Sequence, residues 1–207
     1  MNELTISKEQ VAEVYQNASA ETKEALKSLF GDESNFICKP KPTLDDYTTI
    51  RSYEDACEAL GEEPLPYEPN PIMNLYGVEY EVEPHIIALM KLETISRALW
   101  GKDWMPESDA SGSKLFYYPV FALYTKSEID NMDEDERGCL LSASAVSGAG
   151  AGFGYLHANS RYSNETAYNG LRLCQENYEK AKYFGNQFLE LWAEYLKFNF
   201  EVGGRLS

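Results

Sequence analysis

Tyrosine, histidine, asparagine and arginine recur at short intervals between residues 155 and 168, and together they could bind a ligand. They are Tyr155, His157, Asn159, Arg161, Tyr162, Asn164 and Tyr168. Tyrosine supplies amphipathic contact area at a low entropic cost, while asparagine and serine adapt their hydrogen bonding, as in antibody paratopes. The pattern predicts a binding surface for a protein or a glycan, and an ordinary polar loop is the alternative interpretation.

Acid–base chemistry would depend on the two histidines of the chain, His85 and His157. His85 follows Pro84 in the expected first turn of a helix, so we expect a structural role for it. His157 lies in the candidate surface, but no nucleophile motif such as GxSxG accompanies it. Because no set of residues supplies a nucleophile, a base and an orienting group, the sequence predicts no catalytic residue.

Neither a cofactor nor a metal site is predicted. The segment GAGAGFG at 148–154 lacks the Gly-Lys-Ser/Thr of a phosphate-binding loop, and its alternating glycines favour close backbone packing or a flexible tip. The acidic segment at 126–138 lacks the ligand spacing of a calcium loop. The cysteines form no CxxC pair, which argues against a zinc site and a dense disulfide framework; they are Cys38, Cys57, Cys139 and Cys174.

The candidate surface lies in a stretch of unusual composition. Residues 138–164 contain no Glu, Lys, Gln, Met or Trp. Such a segment cannot make a core of its own, so the flanking sequence must support it. We therefore expect surface loops at 142–169, held between one strand in CLLSASAV and another in GLRLC.

Two amphipathic helices and an aromatic strand are expected to support these loops. The first helix begins at Pro84 and ends near Gly101. Its predicted inner residues are Ile87, Met90, Ile95, Ala98 and Leu99. A closing helix is predicted from about Asn177, where Gly185 permits close approach to a neighbour. Its apolar face comprises Ala181, Phe184, Phe188, Leu191, Tyr195 and Phe198. Residues 115–125 predict a strand in which Pro119 marks an edge or a bulge.

Three segments are expected along the chain. Residues 1–31 form an N-terminal helical hairpin for docking or assembly, in which Ser7 and Ser19 are the N-caps. Residues 32–50 form a linker that contains two prolines. Residues 51–207 form an α+β domain with a small mixed or antiparallel sheet, long loops and two packing helices.

The net charge of -16 and the isoelectric point near 4.5 exclude a typical reader of the nucleic-acid backbone, which needs clustered lysine and arginine. No apolar run approaches the roughly 20 residues that span a bilayer, so no membrane insertion is expected. The N-terminus has no signal-peptide pattern. We expect the protein in the cytoplasm of the producing cell, and in the virion if it is a particle component.

Several landmarks then stand in a fixed order: SYEDACEALG, ALWGKDWMP, FYYPVF, NGLRLC and AKYFGNQFLELW. Over roughly residues 50–195 this order resembles a group of uncharacterised proteins from phages and prophages of anaerobic gut bacteria. A weaker resemblance is to the C-type-lectin-like variable domains of phage tropism proteins, where Gly170, Leu171 and Arg172 would match a strand containing Gly-Phe-Arg. The first resemblance implies a viral or mobile-element origin, and the second a lectin-like fold.

These observations together predict a non-enzymatic phage or mobile-element protein. It would be associated with the virion, or would bind a surface protein or a glycan ligand through the Tyr155–Tyr168 surface, as part of a homo-oligomer or virion assembly. One alternative is an acidic cytoplasmic accessory protein that binds or inhibits a host factor. A second alternative is an enzyme of unknown reaction that uses His157.

Overall fold

The computed structural model describes residues 10–11, 14–15, 18–31, 41–65, 72–75, 78–101, 112–145, 150–162, 171–197 and 200–206. The chain divides into two compact units, Met1–Lys41 and Pro42–Ser207. The larger unit thus begins within the segment predicted as a linker. Ile50, from that segment, is fully buried in a hydrophobic core.

The smaller unit contains helix α1 (Ala20–Phe30). Ser19 caps it, as predicted, because its hydroxyl accepts a hydrogen bond from the backbone N–H of Thr22. An apolar cluster precedes and meets this helix, formed by Val11, Tyr15 and Leu26. Leu29 and Phe30, at the other end of α1, are 75% and 40% exposed.

The larger unit combines a four-stranded antiparallel sheet, in the order β3-β5-β4-β6, with a separate hairpin of β1 and β2. The strands are β1 (Ile72–Leu75), β2 (Val78–Glu81), β3 (Leu115–Tyr124), β4 (Leu141–Ala145), β5 (Gly152–Tyr162) and β6 (Phe200–Arg205). The strands predicted in residues 115–125 and in CLLSASAV are confirmed. Pro119 lies in β3, at an edge of the sheet, as its missing N–H requires.

Six α-helices are described in this unit, and the α+β class is confirmed. They are α2 (Tyr53–Leu60), α3 (Pro84–Trp100), α4 (Lys126–Asp130), α5 (Glu134–Gly138), α6 (Tyr178–Gln187) and α7 (Leu189–Leu196). Two 3-10 turns lie at Tyr47–Thr49 and Leu171–Leu173. None of the helices in the described part of the chain is long and apolar enough to cross a membrane.

The main core lies where α3, α6 and α7 meet one face of the sheet. Trp192 of α7 is its largest fully buried side chain. Its ring lies 5.0 Å from that of Phe184 and 5.1 Å from that of Phe121, and its indole N–H donates to the Phe184 carbonyl over 3.2 Å. The predicted closing helix is two helices, because the backbone leaves the helical region at Phe188 (φ -112°, ψ 33°).

The segment GLRLC was expected to form a strand, and this prediction is wrong. Its three middle residues form the 3-10 turn Leu171–Leu173, which inserts Leu173 into the core. Extended pairing begins later, where Gln175 and Tyr117 exchange backbone hydrogen bonds of 2.9 and 2.6 Å at the edge of β3. The strand on which the lectin-like resemblance rested is therefore absent at residues 171–173, and the lectin-like fold stays a prediction.

Candidate functional site

Five of the seven predicted binding residues lie on a strand of the sheet, so the expected loop surface at 142–169 is wrong for this part. They are Tyr155, His157, Asn159, Arg161 and Tyr162. The remaining two, Asn164 and Tyr168, lie outside the described residues. The polar composition of the segment did not indicate a strand. The strand forms because β5 has a β3 partner opposite nearly every residue, which satisfies its backbone hydrogen bonds.

A bulge divides β5 in the middle of the predicted site. Val120 lies opposite His157, whereas the next residue, Phe121, lies opposite Tyr155. Leu156 is the extra residue, and its side chain is 48% exposed. Bulges re-aim side chains by breaking the alternation of a strand. Tyr155 and His157, two positions apart, therefore face opposite sides of the sheet.

The register separates the predicted binding residues into two groups. Directly opposite residues of antiparallel strands share a face. His157, Asn159 and Arg161 consequently share one face of the sheet. Tyr155 and Tyr162 lie on the other face. The five side chains do not form the single surface that their spacing predicted.

Tyr155 packs within the protein. Its ring lies 6.4 Å from that of Phe121 in an edge arrangement, and it covers the backbone of Gly185 on α6. A β-carbon on Gly185 would come within 2.5 Å of the Tyr155 ring. Burial raises the pKa of the Tyr155 phenol, and the neighbouring Tyr178 raises it further. The role of Gly185 as a site of close approach is confirmed.

Two alternating glycines of GAGAGFG likewise serve packing. Gly152 and Gly154 lie on the opposite face of β5 from Phe153, and a β-carbon on either would contact the Leu140 side chain, at 3.4 and 2.3 Å. Close backbone packing, predicted from the alternation, is confirmed for these two positions. Residues 148–149 lie outside the described residues.

The two histidines lie on separate elements. His157 is exposed on β5, and His85 is exposed in the first turn of α3. Within the part of the chain that the structure describes, no three His, Cys, Asp or Glu side chains come together as a metal site.

A cleft of about 460 Å³ opens on another part of the larger unit, between the end of α2, helix α3 and the Leu171–Leu173 turn. Its lining residues are Tyr53, Glu62, Glu63, Leu65, Met90, Glu93, Thr94, Arg97 and Arg172. The volume is within the range of roughly 300–1,000 Å³ typical of small-ligand sites. None of these residues was predicted to be functional.

Local sequence signals build the first wall of the cleft. Ser52 and Asp55 form a capping box that starts α2, and Gly61 ends the helix in the left-handed region at φ 70°. The chain then turns back along the helix, and the Tyr53 hydroxyl accepts a hydrogen bond of 3.0 Å from the Leu65 backbone N–H. Residues 61–65 are thereby held beside α3.

Helix α3 supplies the second wall through four residues at three- and four-residue steps. They are Met90, Glu93, Thr94 and Arg97. This spacing places them on one helical face. Met90 was predicted to point inward, but it is 36% exposed, because Ala88, Leu92 and Ile95 fill the core instead. The spacing of these four residues is present in the sequence, but only the buried face of α3 was predicted from it.

The two arginines of the cleft are held very differently. Arg97 donates two parallel hydrogen bonds, of 2.6 and 2.5 Å, to the two carboxylate oxygens of Glu62. This bidentate contact lowers the pKa of Glu62 and raises that of Arg97. Arg172 instead reaches both oxygens of Glu93 from a single nitrogen at 3.4 Å, and its side chain is 71% exposed.

Comparison with protein-family models, with curated proteins and with solved structures finds no match for this chain. The functional assignment therefore follows from the geometry and charge of the cleft.

Proposed function

We propose that this chain is a non-enzymatic binding protein whose cleft receives a basic side chain, lysine or arginine, of a partner protein. The observation that carries the proposal is that one ligand-sized cleft combines three carboxylates and two arginines with apolar side chains in its lining. The proposed class, a protein that binds another protein, is the one that the sequence predicts. The proposed binding residues, however, line the cleft, whereas those predicted from the sequence lie on β5.

The charges of the cleft favour a cationic ligand. Arg97 and Glu62 neutralise each other through two short hydrogen bonds. Among the remaining lining residues, the charged ones are Glu63, Glu93 and the loosely held Arg172, and their charges sum to a negative value. The Lys91 ammonium, over the Tyr53 ring beside this lining, offsets part of it, and the net charge of the whole chain, -16, attracts cations at longer range.

The apolar residues of the cleft match the stem of a basic side chain. Met90, Leu65 and Tyr53 supply apolar surface on the two walls, beside the charged side chains. Lysine and arginine bury their methylene stems against such surface and keep the charged group among polar partners. Lys91 already lies over the Tyr53 ring, 5.7 Å from its centroid, and a ligand cation that binds this face of the ring would have to replace it.

The described lining of the cleft contains no histidine, cysteine or serine. Its Thr94 hydroxyl donates to the backbone carbonyl of Met90 over 3.2 Å and not to a carboxylate, so it is not paired with a base as an activated nucleophile would be. Origin from a phage or prophage, presence in the virion, self-assembly and inhibition of a host factor remain predictions that the cleft does not bear on.

Titration of the ¹⁵N-labelled full chain with tetra-arginine amide, followed by two-dimensional NMR, tests the proposal. We expect shifts concentrated at residues 62–65 and 90–97. The double variant Glu63→Gln/Glu93→Gln removes the two carboxylates assigned to the ligand, and we expect it to weaken binding about tenfold, since charge-assisted hydrogen bonds contribute roughly 1.5–3 kcal/mol each before solvent screening.

A matched control separates the cleft from the bulk charge. Glu134→Gln/Asp135→Asn makes the same change of net charge on exposed residues of α5 and should leave the affinity within about twofold. Equal weakening in both double variants would mean that only the overall charge attracts the peptide, and the proposal would be wrong. Tetra-glutamate that shifts the same cleft resonances would also overturn it.

A further inference from the structure

We infer that Arg172 is an internal competitor for the ligand: its guanidinium occupies Glu93 in the free protein and must leave when a basic side chain enters the cleft. This inference rests on the proposed function, and it adds a regulatory group to the site. It follows from the contrast between the two arginine–glutamate pairs on the cleft walls.

The Arg172–Glu93 contact has the properties of a displaceable pair. A single guanidinium nitrogen reaches the carboxylate, at 3.4 Å from each oxygen, which is the far limit of a hydrogen bond. The Arg172 side chain is 71% exposed and the Glu93 side chain is 33% exposed. Exposed pairs of this kind contribute little to stability. The Arg97–Glu62 pair, with two bonds of 2.6 and 2.5 Å, lacks this freedom.

The backbone that carries Arg172 is fixed, so only the side chain needs to move. Leu173, the next residue, is 1% exposed in the main core. The Trp100 indole donates a hydrogen bond to the Cys174 carbonyl, and Gln175 pairs with β3 through Tyr117. Release of Glu93 therefore requires a change of the arginine rotamer and no rearrangement of the turn.

Exchange at Glu93 replaces one cation by another. In the free protein, Arg172 offsets part of the negative charge of the cleft. When a ligand guanidinium takes its place, Arg172 swings into solvent but stays close enough to repel the ligand. Removal of the charge at position 172 should accordingly strengthen the binding of a basic ligand, whereas removal of a residue that contacts the ligand would weaken it.

The experiment compares three forms of the full chain, wild type, Arg172→Gln and Arg172→Lys, in the tetra-arginine amide titration. We expect Arg172→Gln to bind the peptide about three- to tenfold more tightly and Arg172→Lys to stay within about threefold of wild type, because the lysine keeps the competing charge. In the wild type, the Nε–Hε resonance of Arg172 should shift as the peptide binds. Lys126→Gln, the same charge loss on exposed α4, should change the affinity less than twofold.

The possible failures are distinguishable. If Arg172→Gln binds the peptide as the wild type does, while Glu63→Gln/Glu93→Gln weakens binding, the competition is wrong and the proposed function stands. If Arg172→Gln binds more weakly, Arg172 contacts the ligand and the competition is again wrong. If the peptide shifts no cleft resonance in any form, both proposals are wrong. Unchanged dispersion of amide resonances in each variant shows that the fold is intact.

Discussion

Strand β5 and the α2–α3 cleft both carry polar side chains, but they use them differently. On β5 the backbone is paired with β3 at every residue except the bulged Leu156, and the side chains fall on two faces of the sheet. In the cleft, charged side chains from three separate elements converge on one opening. Convergence from separate elements on a fixed scaffold is typical of ligand sites, whereas an unusual composition along one strand can have a packing origin.

Glycine illustrates the difference. On β5, Gly152 and Gly154 leave room for the Leu140 side chain. Beside the cleft, Gly61 permits the left-handed turn that brings Glu62 towards α3. Gly152 and Gly154 thus allow close packing in the interior, whereas Gly61 positions the charged residue Glu62 in the wall of the cleft. Substitutions of the packed residues of β5 should therefore change stability, while substitutions of Glu63, Glu93 or Arg172 in the cleft should change binding.

The largest effect is expected for Phe153→Ala on β5. Phe153 is 3% exposed and stacks between Phe121 and Phe200, with ring centroids 5.4 and 5.6 Å away. Loss of a buried aromatic ring leaves a cavity and costs about 3–5 kcal/mol. Urea denaturation monitored by circular dichroism measures the free energy of unfolding. Leu156→Ala on the same strand, at a 48% exposed position, is the control and should stay within about 0.5 kcal/mol. Similar losses for both would mean that β5 is not the buried strand described.

Tyr155→Ala against Tyr162→Ala compares two tyrosines of the same strand and face. Tyr155 packs on Gly185 and Phe121, whereas Tyr162 is 50% exposed. We expect a loss of about 2 kcal/mol for Tyr155→Ala, roughly half of that for a fully buried aromatic residue, and less than about 0.5 kcal/mol for Tyr162→Ala. Thermal unfolding of both variants measures the difference. Equal melting temperatures of the two variants would mean that Tyr155 is not packed against Gly185 and Phe121 and belongs to an exposed surface, as the sequence predicted.

Gly185→Ala should destabilise the protein by about 1–2 kcal/mol, although alanine is normally the better helix former by about 1 kcal/mol. The new methyl group would lie 2.5 Å from the Tyr155 ring and 2.8 Å from the Pro119 β-carbon, and the sheet must move to admit it. Gly138→Ala, where a β-carbon meets no atom within 4 Å, is the matched control. A stabilising effect of Gly185→Ala in urea denaturation would show that α6 does not press against β3 and β5.

The elements that could be predicted are those whose signals are local. Ser52, Asp55 and Gly61 define the ends of α2 through contacts within ten residues: Ser52 and Asp55 form the capping box, and Gly61 takes the left-handed end. Pro84 likewise starts α3. These motifs work because their hydrogen bonds form inside the element itself, independently of tertiary packing.

The cleft and β5 could not be predicted for the opposite reason. Arg172 meets Glu93 across 79 positions of sequence, and Arg97 meets Glu62 across 35. No periodicity within either segment reports such pairs. On β5, Gly152 and Gly154 stand where an alternating strand would have apolar side chains. The Leu140 side chain, from outside the strand, fills the space beside them, so the sequence of β5 alone lacks the usual alternation. The three- and four-residue spacing of Met90, Glu93 and Arg97 is present in the sequence. It did not reveal the cleft, because Met90 was assigned to the buried face of α3, where Leu92 lies instead.

The smallest effect is expected for Glu62→Gln, and it should depend on pH. The hydrogen bonds from Arg97 hold the pKa of Glu62 below its ordinary value. A carboxylate with a lowered pKa in the folded state stabilises the protein above its unfolded pKa, and this contribution is lost as the pH falls through the folded value. The side chains of Glu62 and Arg97 are 43% and 30% exposed, so solvent screening keeps the contribution below about 1 kcal/mol.

Urea denaturation of wild type and Glu62→Gln from pH 7 to pH 2 checks this prediction. The wild type should be the more stable form at pH 7, and the two curves should converge in the acid range, where Glu62 is protonated. Glu134→Gln, an exposed residue in the first turn of α5, is the control and should show a smaller difference at every pH. A difference that persists unchanged at pH 2 would mean that Glu62 holds the cleft wall through its shape rather than its charge. The contrast between a fixed Arg97 and a displaceable Arg172 would then lose its electrostatic basis.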